Sequence, residues 1–190
     1  MSGEVTGRDE MLRRLIEHVR AHGLTADCSL RQLAQELGTS HRMLAYYFGS
    51  RDGLLATVLT AMRAQDREVV ASTAMSWGLR DAALAMWSYF SDPARAPEHR
   101  AFFSVFPHAL QEPGRYQEFL DSLRDWCALA TELGIAEGLE PARAEQVATL
   151  IVAAVRGLLI DRLSSAEAER VDSSFALLLE ELLPTPARVS

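Results

Sequence analysis

Hydrophobic residues recur every three or four positions along most of this chain, and no stretch alternates with the period of two that is typical of a strand. In the first such stripe, Met11, Leu15 and Val19 fall on one face of a helix. Similar stripes continue to residue 182, and Gly, Pro and short polar segments separate them. The pattern predicts an all-α fold of about nine helices.

Helix start and stop signals are clearest near the N-terminus. Ser29, with Gln32 three residues later, has the form of a capping box. Glycine residues mark the predicted helix ends, and hydroxyl residues mark the predicted helix starts. The expected boundaries are an end of the first helix at Gly23, a second helix from Ser29 to Gly38, a third from Thr39 or Ser40 to Gly49, and a fourth from Ser50 to about Ala71.

The remaining boundaries depend mainly on Pro and Gly. A proline inside a helical pattern removes a backbone donor, so it is expected to interrupt the helix. The expected boundaries are a joint at Trp77-Gly78, an end of the fifth helix before the stretch SDPARAP, an interruption at Pro107 and a close at Pro113-Gly114 for the sixth, an end of the seventh at Gly134, a start of the eighth at Pro141, and an end of the ninth at Pro184.

Composition and charge narrow the class of protein. The chain of 190 residues is 48% hydrophobic, which predicts a folded globular protein, and no segment has the uninterrupted apolar length of a membrane span or the pattern of a signal peptide. A cytoplasmic protein is therefore expected. The two cysteines, Cys28 and Cys127, lack metal-binding spacing and are predicted to be small buried hydrophobes. The net charge of -7 comes entirely from residues 61–190, because the first 60 residues carry seven Arg and seven acidic residues.

A local basic segment coincides with two short capped helices. Between Ser29 and Arg51, a range that includes most of the stretch GTSHRMLAYYFGSRDGL, three arginines are opposed only by Glu36. Two short helices joined by a Gly-containing turn predict a helix-turn-helix, whose second helix enters the DNA major groove with its N-terminal residues. The consecutive residues Tyr46, Tyr47 and Phe48 sweep roughly 200° around the helix, so they cannot all face one core. Phe48 is expected inside, and at least one tyrosine is expected outside.

The stretch SLRQLAQELGTSHRMLAYYFGSRDGLL resembles the TetR family of bacterial transcription regulators, and the resemblance is close over residues 11–60. The chain departs from the family pattern at Ala45, where an aromatic or hydroxyl residue is usual, and at Arg51, where lysine is usual. The resemblance implies a DNA-binding domain over residues 1–55 and a phosphate contact from Arg51. The implied DNA-binding residues are Arg31, Ser40, His41, Arg42, Met43, Tyr46, Tyr47 and Arg51.

Residues 56–190 are expected to form a ligand-binding and dimerisation domain, as the resemblance implies. Nine aromatic residues lie from Trp87 to Trp126, both included, a composition that suits an apolar cavity with a few polar groups. A small, largely apolar effector is therefore predicted. The candidate ligand-binding residues are Met86, Phe90, Phe103, Phe106, Tyr116, Phe119, Leu123 and Trp126.

The last two predicted helices carry more apolar surface than one layer of packing requires. The stretch LIVAAV, residues 150–155, is apolar on all sides, which favours burial against a second copy of the chain. The family resemblance likewise implies a four-helix homodimer interface. The candidate interface residues are Val147, Ile151, Val155, Leu158, Phe175, Leu179 and Leu182.

Other chemistry has little support in the sequence. His18 and His22 are spaced as a helical pair but lack an evident third ligand, so no metal site and no cofactor are predicted. No nucleophile, phosphate-loop or metalloprotease motif is present, and catalysis is not expected. The sequence thus favours a ligand-responsive regulator, most simply a repressor, that binds a palindromic operator as a homodimer. The alternatives are a ligand-independent architectural or partner-recruiting DNA-binding protein and, more remotely, a helical carrier or enzyme.

Overall fold

A computed structural model describes residues 7–22, 29–74 and 78–183 of the chain. Within these residues the structure is entirely helical, and one short 3₁₀ turn, Pro93–Arg95, precedes the sixth helix. The predicted all-α class is confirmed. The described helices are α1 Gly7–His22, α2 Leu30–Glu36, α3 His41–Phe48, α4 Arg51–Ala74, α5 Leu79–Ser91, α6 Ala96–Gln111, α7 Gln117–Ala136, α8 Pro141–Ser164 and α9 Ala168–Leu182.

Serine caps begin the three helices that follow α1. Ser29 and Gln32 form the predicted capping box, in which each side chain bonds the backbone N–H of the other residue. Ser40 caps α3 by accepting from the Met43 N–H at 3.1 Å, which decides between the two candidate caps. Ser50 accepts from the Gly53 N–H at 3.1 Å in the first turn of α4.

Contacts divide the chain into two compact units. The first unit comprises Met1–Gln65 and Ala94–Ser122, and the second comprises Asp66–Pro93 and Leu123–Ser190. Side chains of α1 to α4 and of α7 form the fully buried core of the first unit: Leu15, Leu33, Leu44, Leu54, Leu55, Leu59, Met62 and Phe119. In the second unit Trp87 of α5 stacks on Phe175 of α9 with ring centroids 4.9 Å apart, and Ile151 and Leu179 are also fully buried.

Two predicted helix breaks are wrong. α6 continues through Pro107 to Gln111, because a proline removes only one backbone donor and the later residues resume helical bonding, as in the Glu112 N–H to His108 carbonyl bond at 2.9 Å. α7 continues through Gly134 and is followed by Gly138, which has a positive φ of 92°. Gly134 instead permits close packing, because an added Cβ would lie 3.2 Å from Leu139 Cδ1 and 3.3 Å from Ala144 Cβ.

Several other sequence predictions concern single positions. Gly23, Cys28, Trp77 and Pro184 lie outside the described residues. Cys127 is half-buried, and burial raises the pKa of its thiol. Among the helices described, none is long and apolar enough to cross a membrane.

Candidate nucleic-acid interface

α2 and α3 form a helix-turn-helix whose turn is shaped by local sequence. Gly38 adopts a positive φ of 60°, which a residue with a side chain rarely adopts, and the Thr39 N–H bonds the Ala34 carbonyl at 2.8 Å. Leu33 of α2 and Leu44 of α3 are fully buried, so each helix packs into the core through the face that carries its leucine. The Arg14 guanidinium donates to the Leu37 carbonyl and so ties α1 to the turn. The geometry holds α3 by one face and leaves its other face to solvent.

The exposed face of α3 carries most of the predicted DNA-binding residues. Ser40, His41, Arg42 and Met43 are exposed at its N-terminal end, and Arg31 is exposed on α2. Neither the Arg31 nor the Arg42 guanidinium has a hydrogen-bond or ion-pair partner among the described residues. Such free guanidinium groups are suited to phosphate oxygens and to the acceptor edge of guanine.

Glu36, the acidic residue between Ser29 and Arg51, contacts a histidine of α1. Glu36 on α2 lies with its Oε2 3.0 Å from Nε2 of His18 on α1, and the His18 ring stacks on His22 with centroids 4.7 Å apart. Over the described part of the chain, no group of three or more His, Cys, Asp or Glu residues is placed to hold a metal ion. His18 thus joins α1 to α2, and His22 packs against His18 within α1.

The aromatic residues at the end of α3 separate as their helical spacing predicts. Phe48 is 8% exposed and belongs to the core, whereas Tyr46 is 79% exposed. Tyr47 is half-buried, and its hydroxyl lies beside the first turn of α1, where a Cβ added to Gly7 would be 2.7 Å from Tyr47 Oη. The geometric argument is confirmed, while phosphate contacts from Tyr46 and Tyr47 remain a prediction.

Arg51 lies in a different setting from the other arginines. Its Nη1 donates to Asp52 Oδ1 at 3.2 Å, and its side chain is only 27% exposed. A phosphate bound by Arg51 would therefore share the guanidinium with Asp52. The neighbouring Ser50 Oγ accepts from Arg115 Nη2 at 2.7 Å, so the turn before α7 is bonded to the start of α4.

The predicted ligand-binding residues do not form one group within either unit. Met86, Phe90, Leu123 and Trp126 are buried in the second unit, where Phe90 and Trp126 meet edge to face at 5.3 Å. The other four belong to the first unit: Phe103 and Phe106 are half-buried, and Tyr116 and Phe119 are buried. The residues of this aromatic-rich stretch are therefore divided between the two units.

Some of these residues line a cavity in the first unit, and others line a cavity in the second. In the second unit Met86 and Trp126 line a small apolar cavity of about 20 Å³, which has room for about one water molecule. In the first unit Tyr116 and Phe119 line an open cleft of about 480 Å³ together with residues of α1, α3 and α4. Burial raises the pKa of the Tyr116 hydroxyl, and the Asp52 carboxylate acts in the same direction, so this hydroxyl remains a donor at neutral pH.

The predicted dimer-interface residues lie mostly inside the subunit. Val147, Ile151, Val155, Phe175 and Leu179 are buried within the second unit, and Leu158 and Leu182 are half-buried. The exposed apolar positions of α8 lie on another face and recur at helical spacing: Leu150, Ala153, Gly157 and Ile160. On α9, Leu177 is 58% exposed. The residues selected from the sequence pattern thus lie mostly on the inward-packing faces of these helices, and their role in a dimer interface remains a prediction.

Comparison with known proteins identifies the fold. A TetR-family transcriptional regulator from Pectobacterium atrosepticum matches with a TM-score of 0.73 at 19% identity, over 94% of this chain and 95% of that one. A transcriptional regulator from Rhodococcus sp. RHA1 matches with a TM-score of 0.71 at 20% identity, over 93% and 97% of the two chains. Thermus thermophilus FadR, a TetR-family transcriptional repressor solved in complex with lauroyl-CoA, gives 0.62 at 18%, over 96% and 98%.

These solved structures cover nearly the whole chain, so the protein has the fold of TetR-family transcriptional regulators, as the sequence motif implied. No protein-family profile and no curated protein sequence matches it.

Proposed function

We propose that this protein is a homodimeric transcriptional regulator that binds a palindromic operator through α2 and α3 and responds to a small effector. The observation that carries the proposal is the exposed N-terminal face of α3, where Arg42 has no partner among the described residues and stands beside Ser40 and His41. A helix held by its apolar face, with a free guanidinium at its start, has the form of a major-groove reader. Repression is the simplest mode for such a regulator, because a dimer on its operator blocks access to the DNA.

DNA recognition by this surface would combine two kinds of contact. Arg42 is the candidate for a bidentate contact with guanine, because its guanidinium matches two acceptors in the major groove. Arg31, Tyr46, Tyr47 and Arg51 are candidates for phosphate contacts, which position the protein without reading sequence. The negative net charge of the whole chain does not oppose this binding directly, because the acidic surplus lies outside the first 60 residues.

The proposed dimer face consists of the exposed apolar residues of α8 and α9. Leu150 and Ile160 on α8 are 46% and 51% exposed, and the small residues Ala153 and Gly157 lie between them at helical spacing. Small residues between large apolar ones allow two helices to approach closely. Leu177 extends the apolar surface on α9. This proposed face differs from the residues predicted from the sequence pattern, most of which are buried within the subunit.

The proposed effector is largely apolar. The aromatic and aliphatic side chains around Met86 and Trp126 enclose only about 20 Å³ in this conformation, so the ligand would have to bind a more open form of the second unit. One protein of the same fold, Thermus thermophilus FadR, was solved with lauroyl-CoA, whose acyl chain is apolar. That precedent supports an effector with a large apolar part.

The proposal is tested by measuring binding of the purified protein to DNA enriched by selection, as a function of salt concentration. The account predicts an affinity that falls steeply with salt, because bound arginines release counterions from the phosphates. A carrier or enzyme of the same fold would show no such DNA affinity. A ligand-independent architectural protein would bind DNA in this way, but no small apolar compound would weaken the complex.

A further inference from the structure

We infer that the open cleft of the first unit is a binding site for a small organic monoanion with a flat aromatic body. The cleft has a volume of about 480 Å³, within the range of roughly 300–1,000 Å³ found for small-molecule sites. Three segments that are distant in sequence line it: Arg8 of α1, the end of α3 with the first turns of α4, and residues 114–119 before and within α7. It is separate from the small apolar cavity of the second unit, with which it shares no lining residue.

Aromatic rings supply the apolar part of the cleft. Tyr47, Phe48, Tyr116 and Phe119 all line it, and all except Tyr47 are buried. Aromatic side chains favour offset or edge-to-face contacts with another planar ring over contacts with an irregular aliphatic group. The aromatic composition therefore favours a ligand with one or two fused rings.

The charged residues of the cleft favour a single negative charge. Arg8 and Arg115 both line the cleft and are exposed, and Glu118 is the acidic residue among the lining side chains. Arg115 donates through Nη2 to Ser50 Oγ at 2.7 Å and through Nη1 to Glu112 at 3.5 Å. The lining thus carries a net charge of about +1, and a guanidinium fork is suited to a carboxylate.

A buried hydroxyl adds a second polar group. Thr60 is one of the residues that line the cleft, and its Oγ1 is shielded from solvent and has no hydrogen-bond partner among the described residues. One turn earlier, Thr57 Oγ1 already donates to the Gly53 carbonyl at 2.9 Å. Buried polar groups are nearly always hydrogen-bonded, so the unpartnered Thr60 hydroxyl indicates a group that the cleft normally receives.

The inference is tested by calorimetric titration of the full chain, without DNA, with three probes of one shape: 2-naphthoate, the neutral 2-naphthamide and 2-naphthyl phosphate. One molecule of 2-naphthoate is expected to bind per chain, about tenfold more tightly than the amide, because one charge-assisted bond to arginine is worth about that factor. The phosphate ester, which carries nearly two charges, is expected to bind no more tightly than the carboxylate.

Variants locate the site. Arg115→Gln is expected to weaken 2-naphthoate about tenfold and to leave 2-naphthamide unchanged. Arg100→Gln, at an exposed arginine of α6 that does not line the cleft, should leave both affinities unchanged. Thr57→Phe places a ring in the cleft and should abolish binding of both probes. Because Arg115 is exposed, its variant is expected to fold and decides the question even if Thr57→Phe does not.

The inference is overturned if the carboxylate and the amide bind equally, if both arginine variants weaken binding by the same factor, or if the phosphate ester binds more than tenfold more tightly. Because the titration contains no DNA, its outcome is independent of whether the protein binds an operator.

Discussion

Ser40 Oγ accepts a hydrogen bond from the Met43 N–H at 3.1 Å, and this bond starts α3 on the surface proposed to meet DNA. The same side chain is a predicted DNA contact, so its structural and functional roles can be separated by substitution. Ser40→Ala removes the cap and is expected to lower the free energy of unfolding by about 1 kcal/mol. Ser40→Asp preserves the cap, because Asp caps helices as well as Ser does, but it places a negative charge beside the phosphates.

The two Ser40 variants are compared by urea unfolding and by the fluorescence anisotropy of labelled operator DNA. Ser40→Asp should retain the stability of the native protein and lose most of its DNA affinity, whereas Ser40→Ala should lose stability and retain more affinity than Ser40→Asp. Undiminished operator binding by Ser40→Asp would mean that the start of α3 does not approach DNA.

Local sequence signals such as helix caps predict the structure of this chain most accurately. Ser29, Ser40 and Ser50 act as helix caps because each hydroxyl oxygen accepts a hydrogen bond from a backbone N–H of the first turn, which has no partner within the helix. The exposure of Tyr46 and the burial of Phe48 likewise follow from helical geometry alone. These features depend on residues within one or two turns of each other, so the sequence contains them almost completely.

Arg42 and Arg51 are expected to contribute differently to DNA binding. Arg42→Ala should cost about 1 to 3 kcal/mol of operator binding and relax the base preference at one position of the half-site. Arg51→Ala should weaken binding to all sequences alike and reduce the salt slope by about one, because a single phosphate contact is lost. Selection profiles and salt titrations of both variants provide the measurement.

Arg100→Ala, on α6, is the matched control for the loss of one positive charge. It should leave the operator affinity nearly unchanged. If Arg42→Ala weakened every sequence by the same factor, as expected for Arg51→Ala, the assignment of Arg42 to base recognition would be wrong.

The proposed dimer face predicts the effect of a charge on α8. Ile160→Arg should raise the dimer dissociation constant at least about 30-fold, since a central apolar contact is typically worth about 2 kcal/mol or more. Leu84→Arg, at an exposed leucine of α5, is the control and should not change association. Sedimentation of both variants over a range of concentrations measures the effect, and unchanged dimerisation of Ile160→Arg would exclude this face.

The sequence alone does not distinguish the exposed apolar face of α8 from its buried one, because the helix is apolar on more than one side. Val155 and Ile160 have similar hydrophobicity, and only the packing of the second unit buries the first and leaves the second exposed. Gly134 gave a false helix end for a related reason: a glycine that permits close packing and a glycine that ends a helix look alike in sequence. The cleft was missed because Arg8, Thr60 and Arg115 come from three separate segments, and no local pattern joins them.

Effector and operator are each expected to weaken the binding of the other. A ligand that favours one conformation of the protein must weaken operator binding by the same factor by which the operator weakens ligand binding, typically about 5 to 150-fold. A library of apolar compounds is titrated against the free protein and against the protein bound to its operator. Compounds that bind both forms with equal affinity would support the ligand-independent alternative.

The central claim is that two copies of α3 read DNA as a symmetric pair, and selection of binding sites from random duplex DNA tests it most directly. A two-fold dimer presents its recognition helices in inverted orientation, so the enriched sequences should contain inverted half-sites about 34 Å apart, centre to centre, or a multiple of that distance. The account predicts that this palindrome appears with the native protein and is lost with Ser40→Asp. Enrichment of a single asymmetric site, or of no sequence at all, would contradict it.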